Sequence, residues 1–491
     1  MNRPATLGEL KAGGYQARSL KEELRANLVT RLKNKDHLFD GIIGFDDTVL
    51  PDIQRAVLSR HNILLLGLRG QAKTRIARLL VHLLDEYVPV VAGSELNDDP
   101  LHPISRYAHD LIAEHGDATP ITWLHRSERY VEKLATPDVS VADLIGDVDP
   151  IKAAALKLPY SDERVIHFGL VPRSHRSIFV INELPDLQAR IQVSLFNILQ
   201  EGDIQIRGFK LRLPLDIQFV FTANPEDYTN RGSIITPLKD RIESQILTHY
   251  PKTIDIARRI TQQEAQLAPE QREAVAVPDL LAVLLERIAF TARESELVDD
   301  KSGVSARLTI AGYENLVSTA ERRMLLNGER LTTARVTDFW GVVPAITGKV
   351  ELVYEGEQEG PYLVAMALLG KSIKEAFLDH FPNPDKLKKG RERDPFGAIK
   401  AFFSAGHTVD LLNDASDEDY RKALDGVPGL RKLAEASVEA SGEELYTYME
   451  LALHGLCEFN VLNKEVLESR LSFRDLLANM LGDEFDLDDE D

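Results

Sequence analysis

The run Gly67-Leu-Arg-Gly70-Gln-Ala72-Lys73-Thr74 constrains this chain more than any other feature. It lies between an apolar strand signal, Ile63 to Leu66, and an amphipathic helical segment that begins near Thr74. Glycines in that context let the backbone turn its N–H groups around phosphate oxygens, and the following helix adds a favourable dipole. Lys73 is placed to reach β- and γ-phosphates, and Thr74 to ligate magnesium. Gly67, Gly70, Gln71, Ala72, Lys73, Thr74 and Arg75 are therefore the candidate phosphate-binding residues. Ala72 departs from the pattern G-x-x-x-x-G-K-[ST], because it stands where the last glycine is usual. A methyl group is tolerable there only with a negative φ or an adjusted loop, so weaker phosphate binding is expected.

From Ile42 to about Tyr250, β-rich runs (NILLLGL, SIFVINEL, IQFVFTANP) alternate with helical segments (TRIARLLVHLLDEY, ARIQVSLFNILQ). Alternation of this kind implies parallel crossovers, hence an α/β sheet with helices on both faces. The strand signal Ser177 to Ile181 is closed by Asn182-Glu183. In a magnesium-binding strand of this form the first polar residue is ordinarily an aspartate, and the second a glutamate that polarises the attacking water. Asn182 keeps the shape and one acceptor oxygen but removes a charge, so weaker magnesium binding is expected; Glu183 keeps the base. Asn224, after the strand Gln218 to Thr222, has the place of a γ-phosphate sensor, although Asn-Pro also makes a plain Asx-turn. Arg241, in Pro237-Leu-Lys-Asp-Arg241, is a candidate arginine finger for a neighbouring subunit, with a surface ion pair as its alternative. Arg307, in the first turn of a helix that starts after Ser302-Gly-Val-Ser305, is a candidate second sensor or else a solvated helix-start arginine.

Composition narrows the function classes. Lys and Arg number 58 against 78 Asp and Glu, a net charge of −20, which repels nucleic-acid phosphate and anionic lipid. Cys457 is the single cysteine, so an intramolecular disulfide and a cysteine-built zinc site are excluded, and a reducing compartment fits. No stretch approaches the roughly 18 apolar residues of a membrane span. A cytoplasmic protein without membrane insertion is expected. The expected organisation is a helical lead-in over 1–40, the α/β nucleotide-binding core over 41–252, a helical lid over 253–381 and a Pro-rich charged linker over 382–397. A further helical region over 398–480 and an acidic tail over 481–491 complete it.

Ile42-Ile43-Gly44, the phosphate-binding loop, HFGLVPRSHRSIFVINEL, LQEGDIQIRG, TANPED and TPLKDRIE together resemble the AAA+ core of MoxR-type and magnesium-chelatase-type ATPases. The segment Leu144-Ile-Gly-Asp-Val-Asp-Pro150 ahead of Gly169-Leu-Val-Pro-Arg-Ser-His-Arg-Ser177 is similar to one in magnesium-chelatase ATPase subunits. The resemblance covers about 40 to 345. It implies a P-loop AAA+ core with a helical lid, ATP and Mg2+ as cofactors, and Ile43 and Gly44 beside the nucleotide. Glu183, Asn224, Arg241 and Arg307 are the catalytic set it implies, and Thr74 with Asn182 the metal set. It further implies a homo-oligomeric ring, a hexamer, that remodels a partner protein carrying a von Willebrand factor A domain. Two other readings stay open: an ATP-binding scaffold with little hydrolysis, suggested by Ala72 and Asn182, and a magnesium-chelatase ATPase subunit. A sigma-54 activator is disfavoured, since the G-A-F-T-G-A loop is absent.

Overall fold

A computed structural model of the chain describes residues 3–160, 162–206, 212–225, 233–387, 394–467 and 470–475. The chain divides into two compact units after Tyr250. In the first unit the apolar runs become the strands β1 (Ile63–Leu66), β3 (Ser177–Asn182) and β4 (Ile217–Ala223), each buried along its whole length. They read as continuous hydrophobic runs because both faces of the sheet are covered. Two further strands, β2 (Tyr130–Leu134) and β5 (Ser244–Leu247), complete a parallel sheet in the order β5-β1-β4-β3-β2. These two are its edges, half exposed and mixed in polarity, which is why the pattern of apolar runs did not reveal them.

The pleat sorts the strand residues onto two cores. Ile63, Leu65, Ile178, Val180, Val220 and Ile246 pack with the helices α1 (Leu20–Asn34), α2 (Val49–Leu58) and α3 (Lys73–Leu79). Their alternates Leu64, Leu66, Phe179, Ile181, Phe219 and Phe221 pack on the opposite face with Leu187, Ile191 and Ile198. Helix α1 starts at a capping box between Ser19 and Glu22. It also buries Glu23, whose carboxylate takes a bidentate pair of hydrogen bonds at 2.7 Å from Arg129, just ahead of β2. Because the strands run parallel, the C-terminal ends of β1, β4 and β3 lie side by side on one edge, where ligands of open α/β sheets bind.

The second unit is built on one apolar cluster running from Val275 to Phe473. The helices α4 (Asp279–Arg293), α5 (Arg307–Leu326), α6 (Pro361–His380) and α7 (Glu443–Glu458) contribute most of it. The region after 398 carries, besides its helices, an antiparallel sheet of β6 (Val409–Leu412), β7 (Leu462–Leu467) and β8 (Arg470–Asp475), in the order β6-β8-β7. Cys457 is buried in α7. The acidic segment 481–491 and residues 388–393 of the expected linker lie outside the described residues. Among the described residues no helix is long and apolar enough to cross a membrane.

Candidate nucleotide site

The loop after β1 is held by the end of β5. Thr248 Oγ1 donates to Gln71 Oε1 at 2.7 Å and to the carbonyl of Leu66 at 3.2 Å. A Cβ at Gly67 would overlap both Thr248 Oγ1 and Gln71 Oε1, so only glycine fits there. Gly70 has φ +74° and Ala72 φ +56°. The negative φ that would have made the Ala72 methyl harmless is therefore not adopted. The left-handed conformation costs an L-residue on the order of 1–2 kcal/mol.

Lys73 is buried, and its Nζ donates to the carbonyls of Gly67 and Leu68 and, at 2.7 Å, to Asn224 Oδ1. The same Asn224 donates through Nδ2 to Glu183 Oε2 at 3.1 Å. Three strand ends thus bring the candidate lysine, sensor and base onto one carboxamide. Glu183 itself has φ +55°, and its backbone N–H donates to Thr222 Oγ1 at 3.2 Å. A second polar chain starts from that hydroxyl. Thr222 Oγ1 donates to Asn182 Oδ1 at 3.1 Å, and Asn182 Nδ2 donates to Glu132 Oε1 at 2.6 Å. Both ends of the Asn182 amide are engaged by protein groups. Burial would raise the Glu132 carboxyl, but the hydrogen bonds and charge of Arg78 outweigh it, together with the Tyr130 hydroxyl, and hold it below its usual range.

Glu132 was not among the residues the sequence singled out. It sits on an edge strand whose only signal is the short alternation Tyr130–Leu134. For magnesium, the nearby oxygen donors are Thr74, half-buried in the first turn of α3, and the acids Glu183 and Glu132. Among the described residues no group of three or more His, Cys, Asp or Glu could hold a metal by itself. Such a donor set fits magnesium bound with nucleotide, which takes most of its shell from water and phosphate oxygens.

The remaining candidates surround this cluster or lie apart from it. Ile43 and the left-handed Gly44 precede Phe45, which packs edge-on against His249 at 4.9 Å, the residue next to the clamp Thr248. Arg75 is half-buried in the first turn of α3. Arg241 is not joined to the Lys73–Asn224–Glu183 group by these bonds. Its guanidinium donates to Gln200 Oε1 at 2.8 and 3.1 Å and to the carbonyl of Pro237 at 2.7 Å, and it lies 4.8 Å above the Phe196 ring. Arg307 belongs to the second unit and opens α5, its N–H donating to Ser305 Oγ at 3.1 Å.

No family model matches the chain. Among solved structures it is similar to NtrX from Brucella abortus, at 13% identity and a TM-score of 0.34, over 59% of this chain and 55% of that one. The chain thus spans about half the length of that protein. It is also similar to a proposed ATPase from Cytophaga hutchinsonii, at 15% identity and a TM-score of 0.28, over 74% of this chain and 97% of that one. A third is a complex between the subunits BchI and BchD of magnesium chelatase, at 20% identity and a TM-score of 0.33, over 66% of this chain and 98% of that one. Likeness at this level carries no functional argument, and the reading of the site rests on its own geometry.

Proposed function

We propose that this chain is an ATP-hydrolysing AAA+ protein of the MoxR and magnesium-chelatase type, working in the cytoplasm as a homo-oligomeric ring, a hexamer. Its task is to remodel or activate a partner protein that carries a von Willebrand factor A domain. The observation that supports hydrolysis best is the Asn224 carboxamide, which holds Lys73 Nζ at 2.7 Å and Glu183 Oε2 at 3.1 Å. A site that only stores nucleotide needs the lysine but has no use for a carboxylate coupled to it through one amide.

In this reading Lys73 leaves the loop carbonyls for phosphate oxygens and offsets the charge that grows on the leaving phosphate. Glu183 accepts the proton of the attacking water, and Asn224 orients that water towards the γ-phosphorus. Thr74 would hold magnesium, which would supply further charge neutralisation when bound. Arg241, seated on Gln200 and Phe196, serves the site of a neighbouring subunit, and Arg307 serves as the second sensor. The second reading, a nucleotide-responsive scaffold, is favoured by the strained Ala72, which works against a tight phosphate loop.

Turnover and binding assays on three variants separate the readings. Lys73→Ala should lose ATP binding while staying folded. Glu183→Gln should bind ATP and lose hydrolysis by about 10²–10⁴-fold. Arg241→Ala should also bind ATP and hydrolyse slowly, and mixing it with Glu183→Gln should return some activity, since an Arg241→Ala subunit keeps its own base and can borrow the arginine of a Glu183→Gln neighbour. A wild type that binds ATP without turnover establishes the scaffold instead. Mixed rings that form and stay inactive remove Arg241 from the mechanism.

A further inference from the structure

Position 182 closes β3 where a magnesium-binding strand ordinarily carries an aspartate. Here its neutral amide accepts from Thr222 on β4 at 3.1 Å and donates to Glu132 on β2 at 2.6 Å. The donor is what an aspartate lacks. An aspartate at 182 would set two carboxylates at hydrogen-bond distance, and like charges that close cannot both stay ionised. β2 and β3 pair in parallel with Glu132 opposite Val180 and Leu134 opposite Asn182, so Glu132 and Asn182 are diagonal neighbours on one face of the sheet.

Arg78 donates to both oxygens of Glu132, at 2.9 and 3.2 Å. Arg78 follows Thr74 by four residues on α3, and residues so spaced share a helix face. The acid therefore lies along the face of α3 that begins with the Thr74 hydroxyl. Water reaches the pair, since the side chains of Arg78 and Glu132 are 63% and 22% exposed.

We propose that Glu132 carries the negative charge of the magnesium end of this site in place of residue 182, acting on the ion through water. Asn182 is a positioning residue that orients the Glu132 carboxylate and links it through Thr222 to the backbone of Glu183. The role towards the ion rests on the ATPase reading, whereas the pairing of 132 with 182 stands on its own geometry. Arg78, bonded to both of its oxygens, is the cation that faces this carboxylate.

The test is a cycle of four proteins: wild type, Glu132→Gln, Asn182→Asp and the exchange Glu132→Gln/Asn182→Asp. Two readouts apart from turnover are needed, the melting temperature in EDTA without nucleotide and the Mg2+ dependence of ATPγS binding. Glu132→Gln should raise the Mg2+ concentration for half-maximal binding about tenfold, the lower end of what loss of an outer-shell partner does to metal affinity. Asn182→Asp should lower the melting temperature in EDTA by about 2–4 °C, and magnesium should restore part of it. The exchange should return both readouts towards wild type, because one acid and one amide again face each other. An unchanged Mg2+ dependence in Glu132→Gln overturns the proposal, and so does an exchange protein whose changes are the sum of the two singles. A wild type that binds no nucleotide overturns the ATPase reading and the magnesium role together, and the melting cycle in EDTA then decides the pairing alone.

Discussion

Glu450 in the second unit and Glu183 in the first are both glutamates tied into polar networks, but they are held in different ways. Glu450 is fully buried on α7 and accepts from the backbone N–H groups of Val336 at 2.7 Å and Thr337 at 2.8 Å, and from the Tyr420 hydroxyl at 2.9 Å. Burial would raise its pKa, but His454, 3.8 Å away, and the hydrogen bonds of Thr337 and Tyr420 hold it low. Beside it Arg323 meets Asp338 at 3.1 Å with both side chains buried, and burial pushes Asp338 up to about 6 against the pull of Arg323. Glu183 is half-buried, sits past a strand end with φ +55°, and shares its edge of the sheet with the equally left-handed Ala72. One network is buried within the apolar core of its unit. The other sits on strained backbone at strand ends, where an incoming ligand can exchange for the bonds between side chains.

The contrast is broken most directly at Glu450. Glu450→Ala leaves two backbone N–H groups and the Tyr420 hydroxyl without their acceptor in a desolvated place. Removal of one partner from a buried charged network costs about 3–5 kcal/mol. Denaturant unfolding of the second unit should show a loss of that size, while the folded fraction keeps wild-type ATP affinity. A cost below about 1 kcal/mol would mean that Glu450 is no keystone of this core. Loss of ATP binding in folded protein would mean that the two networks are coupled.

A smaller effect is expected from Glu286 on α4, also in the second unit. Its carboxyl is raised from 4.5 to about 7 by burial, opposed by hydrogen bonds from Thr261 and Thr309 and by the charge of Arg293. A raised carboxyl favours the protonated folded state, so its contribution is fully present below about pH 4.5 and is lost as pH rises to about 7. The loss across that window is on the order of 3 kcal/mol. Glu286→Gln, which cannot ionise, should flatten this part of the stability–pH profile, so that the variant overtakes wild type above neutrality. Parallel profiles for the two proteins would assign the acid-side stability to other groups.

Much of the first unit was legible because its three central strands are buried on both faces, which leaves continuous apolar runs ending in polar residues at the binding edge. Lys73, Glu183 and Asn224 were legible for the same reason. Glu183 and Asn224 each directly follow a strand and Lys73 lies in the turn after β1, and the parallel order brings those ends together. The edge strands β2 and β5 have one open side and no such run, so Glu132 and the clamp Thr248 were hidden with them. The sheet β6-β8-β7 was hidden by distance in sequence, since β6 pairs with a strand some sixty residues further on, in a region read as helical. Arg241 was singled out by its order along the chain, but its seat on Gln200 and Phe196 depends on tertiary contacts that spacing does not carry.

The smallest expected effect tests whether the strain on the binding edge is a standing property of the loop. Ala72 holds φ +56° in a position that glycine adopts without a Cβ clash. Ala72→Gly removes a left-handed penalty of on the order of 1–2 kcal/mol but gives the unfolded chain more freedom, which returns about 0.4–1 kcal/mol. The net gain is then about 1 kcal/mol, with an upper bound of about 1.6 kcal/mol, and each kcal/mol raises the melting temperature of a unit of this size by about 2–4 °C. If the loop keeps the same φ with nucleotide bound, both states gain equally and ATP affinity changes by no more than a few-fold. Matched melting and binding measurements decide the point. A tenfold gain in affinity without any gain in melting temperature would mean that the strain develops only around the phosphates, and that the loop relaxes when they leave.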